Sequence, residues 1–151
     1  NGSVWPHDNA IIAQGFARMH RPHFAERIFT ALFEVSRHMY YHRLPELFCG
    51  FPKEPDKMEP PVKYAVACSP QAWAASSVYA LLQSSLNLHP KWKEQALVMR
   101  TPHLPTWINH LKIRNLKVGN ASVDLEFKRS QKGVLVDILD RRGDLDIFIE
   151  M

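Results

Sequence analysis

The opening run NGSVWPHDNA, residues 1–10, sets an indole, an imidazole and a carboxylate close together as Trp5, His7 and Asp8. Sugars are bound by such mixtures. An aromatic face covers the CH side of a pyranose, and charged or amide groups take its hydroxyls in bidentate fashion. The plainer account is that Asp8 caps a helix, as Asp often does, and that Trp5 fills core. Another carboxylate, Glu46, stands among apolar neighbours in RLPELFCG at residues 43–50. A charge in such surroundings is paired, hydrated or kept for proton transfer, because burying it alone is costly. An ion pair with Arg43, or simple exposure, is the competing explanation.

His38 and His42 are four apart, a spacing that puts two imidazoles on one helix face and could serve a metal. No carboxylate or cysteine completes the set, and histidines beside Arg37 and Arg43 equally suit a helix C-terminus. His20 and His23 flank a turn and read as surface residues. No metal and no other cofactor is expected. The sequence has no GxSxG, no Gly-rich phosphate loop and no HExxH, so serine hydrolase, nucleotide and metalloprotease chemistry have no support.

The chain that must position these groups has 151 residues, 46% hydrophobic and 23% charged. That is an average globular composition, long enough to bury about 68–70% of its unfolded surface without covalent staples. The formal charge is a mild +4, and basic residues occur at most in pairs, so a nucleic-acid or anionic-lipid binder is not indicated. No apolar run reaches the roughly 18 residues of a membrane span. Cys49 and Cys68 have no CxxC spacing and make no disulfide framework, which favours a reducing, cytoplasmic compartment. The first residue is Asn1, which suggests processing or a clipped start.

Residues 9–19 read as a helix, with Ile11, Ile12, Gly15, Phe16 and Met19 at spacings of three and four after the candidate caps Asp8 and Asn9. Residues 23–41 read as a longer one, with one stripe through Phe24, Ile28, Leu32, Val35 and Met39 and another through Ala25, Phe29, Phe33 and Tyr40. Ser69, Pro70 and Gln71 announce a third helix through Leu86, whose Trp73, Ala74, Val78, Leu81 and Leu82 leave little polar face and predict burial. Between them, residues 43–69 hold Pro45, Pro52, Pro55, Pro60 and Pro61 of the 11 prolines, and show no sustained period. A loop of this length is usually functional or disordered, and Leu44, Leu47, Phe48, Phe51, Tyr64 and Val66 argue that this one packs and stays ordered. From about residue 96 the signals are those of strands. Alternation in 122–128 and 145–150, with a further strand at 134–139, predicts a small antiparallel meander.

Three stretches together, NGSVWPHDNA at 1–10, RLPELFCGFP at 43–52 and ACSPQAWAA at 67–75, resemble the closing part of bacterial amylo-α-1,6-glucosidase or glycogen-debranching-type proteins, relatives of glucoamylase. The likeness continues through residues 103–127. It implies a mainly α architecture: residues 1–95 as the C-terminal portion of an (α/α)6 toroid, and residues 96–151 as a small antiparallel β-rich appendage. Three helices, with a short fourth near 91–96, fall short of the twelve of a toroid, so on this resemblance the chain is a fragment. Its partners would be an α-glucan and the missing N-terminal part of the same polypeptide, and exposed apolar surface would make it self-associate.

The resemblance further implies an inverting glycosidase acting on α-glucosidic linkages, of the α-1,6 kind, with Glu46 as general base. Trp5, His7 and Asp8 would line the terminal sugar site, with Gln71 and Trp73 facing the pit. Inverting enzymes hold their two carboxyl groups about 6.5–9.5 Å apart to admit a water, and the general acid would come from upstream sequence. The alternatives are a noncatalytic carbohydrate-binding protein on the same scaffold, or a helical structural domain whose Trp and His residues only pack.

Overall fold

The structure, a computed structural model, describes residues 2–52 and 59–150; Asn1 and Pro55, both named above, lie outside the described residues. The chain divides into two compact units, Asn1–Leu82 and Gln83–Met151.

The first unit begins with strand β1 (Ser3–Val4) and helix α1 (Pro6–Arg18). Pro6 takes the first helical position, where no amide proton is needed, and Asp8 lies in the first turn, where a negative charge suits the helix dipole. The residue that starts α1 is therefore Trp5, with extended backbone and no side-chain cap, rather than Asp8 or Asn9. Asn9 instead turns back, its Nδ2 donating to the Trp5 carbonyl at 2.9 Å. After α1 the chain reverses at His20, whose φ of 57° is left-handed, and restarts at Pro22 as α2 (Pro22–Ser36).

Helix α2 stops five residues short of the predicted end. Tyr41 and His42 have φ of 51° and 56°, incompatible with a continuing right-handed helix, and form a 3-10 turn with Tyr40. His38 and His42 thus do not share a helix face, which removes the geometry a metal pair requires. Strand β2 (Phe48–Cys49) follows, then α3 (Ala72–Leu86), which starts after the cis Ser69–Pro70 peptide instead of at it.

Two apolar clusters hold this unit. Ala10 and Ala13 of α1 meet Ala25, Phe29 and Leu32 of α2, with Leu81 of α3 completing the group. The small side chains let the helices approach closely. Met39, Leu44, Phe48 and Ala74 form the other cluster, so the proline-dense connection does pack through Leu44 and Phe48. Its Phe51, Tyr64 and Val66 stay exposed, and so do Trp73, Val78 and Tyr79 of the helix predicted to be buried.

In the second unit, β3 (Leu88–Lys91) and β4 (Ala96–Arg100) make an antiparallel hairpin where a short helix was predicted. Left-handed Asn87, Gln95 and Thr101 break any helical run there. Strands β5 (His110–Val118), β6 (Ala121–Ser130) and β7 (Gly133–Arg142) form an antiparallel meander. The last strand, β8 (Asp146–Glu150), leaves the meander and pairs in parallel with β4, Ala96 opposite Asp146. The reason lies in β4, where Ala96, Leu97, Val98 and Met99 are all buried. A strand covered on both faces takes a partner on each edge. A further clamp is Arg129, whose Nη2 donates to the carbonyls of Leu104 at 2.7 Å, Pro105 at 2.5 Å and Ile108 at 3.2 Å.

Helix and strand thus contribute nearly equal shares, 32% and 34%, in three α-helices and three sheets among the described residues. The fold is mixed α/β. The expected mainly α architecture, a portion of an (α/α)6 toroid with a small antiparallel tail, is not what this chain forms, because the strand-forming stretch starts at Leu88 and one of its pairs is parallel. Among the described residues no helix is long and apolar enough to cross a membrane.

Strand β6 carries the core of the second unit on one face, through Val123, Leu125 and Phe127, and a charge cluster on the other. The register sets Glu126 between Lys112 of β5 and Asp137 of β7, with His110 opposite Lys128. Glu126, nearly buried, meets Lys128 at 2.6 Å, His110 at 2.7 Å and Lys112 at 3.0 Å, and Lys128 also reaches Asp137 at 3.2 Å. Hydrogen bonds from Lys128, Lys112 and His110 outweigh desolvation and bring the Glu126 carboxyl down to about 2. The same contacts push the Lys128 ammonium above its ordinary range.

Two outcomes follow from this sheet. Phe127→Ala should cost about 3–5 kcal/mol in urea unfolding followed by the loss of strand signal. A depressed carboxyl stabilises the fold fully above its unfolded value near 4.5 and loses that contribution as pH falls towards about 2. Urea midpoints of the parent should therefore drop steeply between pH 5 and pH 2, whereas Glu126→Gln should start lower at pH 7 and fall less. Parallel pH profiles for the two proteins would refute the assignment.

Candidate functional site

The site residues are positioned by a two-stranded sheet, the shortest among the described residues. Strand β1 pairs antiparallel with β2, Ser3 opposite Cys49 and Val4 opposite Phe48, which lays the start of α1 along the proline-dense connection. The ribbon closes with a hydrogen bond from the Gly50 amide to the Gly2 carbonyl. A Cβ at position 50 would lie 2.6 Å from that carbonyl oxygen, so this approach requires glycine.

At the start of α1, the rings of Trp5 and His7 meet edge to face, centroids 5.6 Å apart and planes at 89°. His7 in turn contacts Trp73, in the first turn of α3, at 5.2 Å. The far side of the imidazole pairs with Asp8, Nε2 to Oδ1 at 3.2 Å. His7 Nδ1 is buried with no hydrogen-bond partner among the described residues. The Trp73 side chain remains exposed and the Asp8 carboxylate is open to solvent. The fold therefore brings Trp5, His7, Asp8 and Trp73 into one open-faced group from two remote parts of the sequence. Gln71 stands just before α3, where its side-chain oxygen accepts from the Ala72 amide at 3.0 Å and its carbonyl accepts from Ala75.

Glu46 is fixed differently. Its amide donates to the Cys68 carbonyl at 2.9 Å, and its Oε2 accepts from the Cys68 amide at 3.1 Å. This two-way clasp ties the two ends of the proline-dense connection together, three residues ahead of Gln71. The neighbouring Arg43 guanidinium lies over the Tyr41 ring, 5.7 Å from its centroid. Among the described residues, both hydrogen bonds of Glu46 go to Cys68.

Two hollows in this unit lie elsewhere. One of about 450 Å³ is lined by Val4, Phe16, Phe24, Arg27, Ile28 and Phe48 among others, and a neighbouring one of about 590 Å³ by Glu34, Val35, His38 and Glu59. None of the six sequence-selected residues lines either. Phe24, on one of the two apolar stripes read along α2, edges the 450 Å³ hollow. The aromatic group lies outside both hollows and presents ring faces and a flanking carboxylate. Among the described residues no three His, Cys, Asp or Glu side chains are placed to hold a metal, and Cys49 and Cys68 are free thiols.

Set beside known protein families and curated proteins, the chain matches none.

Proposed function

We propose that this chain supplies the sugar-binding surface and the general base of a cytoplasmic glycoside hydrolase acting on α-glucosidic linkages, of the amylo-α-1,6-glucosidase or glycogen-debranching type that its motifs resemble. The observation that carries the reading is the contact of His7 with both Trp5 and Trp73, the latter exposed. An exposed indole beside an imidazole and a carboxylate offers a pyranose a CH-binding face and hydroxyl partners. Gln71, on the residue pair preceding Trp73, adds an amide at the same helix start.

In this reading Glu46 takes a proton from a water while that water's oxygen attacks the anomeric carbon. The Cys68 amide holds Oε2, which orients the carboxylate and leaves Oε1 for the water. The general acid, which protonates the departing oxygen, comes from outside residues 1–151 in the longer polypeptide. The clasp on Cys68 also favours a second reading, a noncatalytic α-glucan binder in which Glu46 serves only to close the loop.

Maltose or isomaltose should change the tryptophan fluorescence of the chain, and Trp73→Ala should abolish the change while the fold survives, since Trp73 is 45% exposed and belongs to neither apolar cluster of this unit. A fluorescence signal indifferent to both sugars would leave the rings as ordinary packing. In a hydrolytically competent polypeptide containing this chain, Glu46→Gln should lower kcat about 10²–10⁴-fold with sugar binding retained. Unchanged turnover would remove Glu46 from the chemistry and favour the binder.

A further inference from the structure

Helix α2 uses one face for the core and leaves a trough along another. Ala25, Phe29 and Leu32 are buried in the cluster with α1 and α3, whereas Phe24, Arg27, Ile28, Ala31 and Val35 line the hollow of about 450 Å³. Phe16 and Phe48 wall it, and the Phe16 and Phe24 rings lie 5.0 Å apart with planes at 32°. Its volume is within the roughly 300–1,000 Å³ of small-molecule sites. The neighbouring hollow shares Ala31 and Val35, so the two adjoin along the helix.

Charge divides this trough into unlike ends. Among the described residues, Arg27 is the one cation lining the first hollow, and no carboxylate lines it. The Arg27 guanidinium has no ion pair or hydrogen bond with a described residue. His23, one turn earlier on the same row, lies against the Phe24 ring at 4.2 Å and brings a second polar nitrogen group to that end. The far end is lined by Glu34 and Glu59, with His38. A ligand matching both features has one anionic head and an uncharged, apolar body. Its carboxylate would take the guanidinium fork in bidentate fashion. Its body would cover Ile28, Ala31 and Val35, and the acids at the far end would repel a head placed the other way round. From Arg27 to Val35 the helix rises about 12 Å, the length of a saturated chain of about ten carbons. We infer that this trough binds a free fatty acid of medium length, its carboxylate on Arg27 and its chain along α2. The site shares no residue with the Trp5, His7 and Trp73 group and does not depend on the α-glucan reading.

Isothermal titration of the chain with decanoate, kept below its micellar concentration, reads the site, and decan-1-ol is the neutral probe of the same length. Decanoate should bind one to one and about tenfold more tightly than decanol. Arg27→Gln should remove that preference, weakening decanoate about tenfold and leaving decanol as it was. Ala31→Leu narrows the trough and should weaken both probes. Arg27 and Ala31 are exposed and both replacements are good helix formers, so thermal midpoints should stay close to that of the parent. Glu34→Gln should leave decanoate binding undiminished, which separates the Arg27 contact from a general effect of surface charge. No heat from decanoate, equal affinity for decanol, or decanoate binding indifferent to Ala31→Leu would each overturn the inference. So would sedimentation showing that the chain self-associates through this face, with Ala31→Leu breaking the association and decanoate unable to compete.

Discussion

The arrangement of the first unit depends on the contact of two glycine backbones. Where Gly50 donates to Gly2, β1 and β2 lie too close for any side chain at position 50, and that closeness sets the start of α1 beside the proline-dense connection. The consequences run outward from there. Trp5 becomes the first residue before α1, His7 is turned towards α3, and Phe48 enters the cluster with Met39, Leu44 and Ala74. A ribbon of two residues per strand contributes little by itself. Its effect comes from being flanked by buried apolar groups that cannot shift without opening a void.

The same logic explains why so many of the candidate residues lie at element ends. Trp5 and His7 belong to the start of α1, and Gln71 and Trp73 to the start of α3. Helix interiors here are occupied with alanine-mediated packing, as at Ala10, Ala13 and Ala25. What remains for the Trp5, His7 and Trp73 group is the place where a helix begins.

How far the sequence could be read varied with the range of the interaction. Spacings of three and four located α1, α2 and α3, and alternation located β6, because those signals are local. Helix ends were misplaced where non-glycine residues adopt left-handed backbone, at Tyr41 and His42, since nothing in their identity announces it. The mainly α class came from the resemblance rather than from the residues, whose strand signals start at about residue 96. The earlier strand β3 (Leu88–Lys91) is too short, and interrupted by Pro90, to show alternation. The pairing of β4 with β8 spans the whole of β5, β6 and β7, beyond any local pattern. At the candidate site the residue types were legible, but not their partners. The Glu46 clasp on Cys68 and the His7 contact with Trp73 join positions whose separation is bridged only by tertiary packing.

One guanidinium nitrogen in the second unit has a wider bearing. Arg129 gathers the carbonyls of Leu104, Pro105 and Ile108, in a stretch where Pro102 and Pro105 have no amide protons to build regular structure. A guanidinium keeps its charge at any acidity a protein survives. The bracket that fastens this stretch to β6 donates to backbone carbonyls, whereas the contacts of Glu126, three residues away on the same strand, run through a titratable carboxylate. A single strand thus carries one fastening that acid can undo and another that it cannot, so acid would loosen the charged side of the sheet before it freed the segment that Arg129 retains.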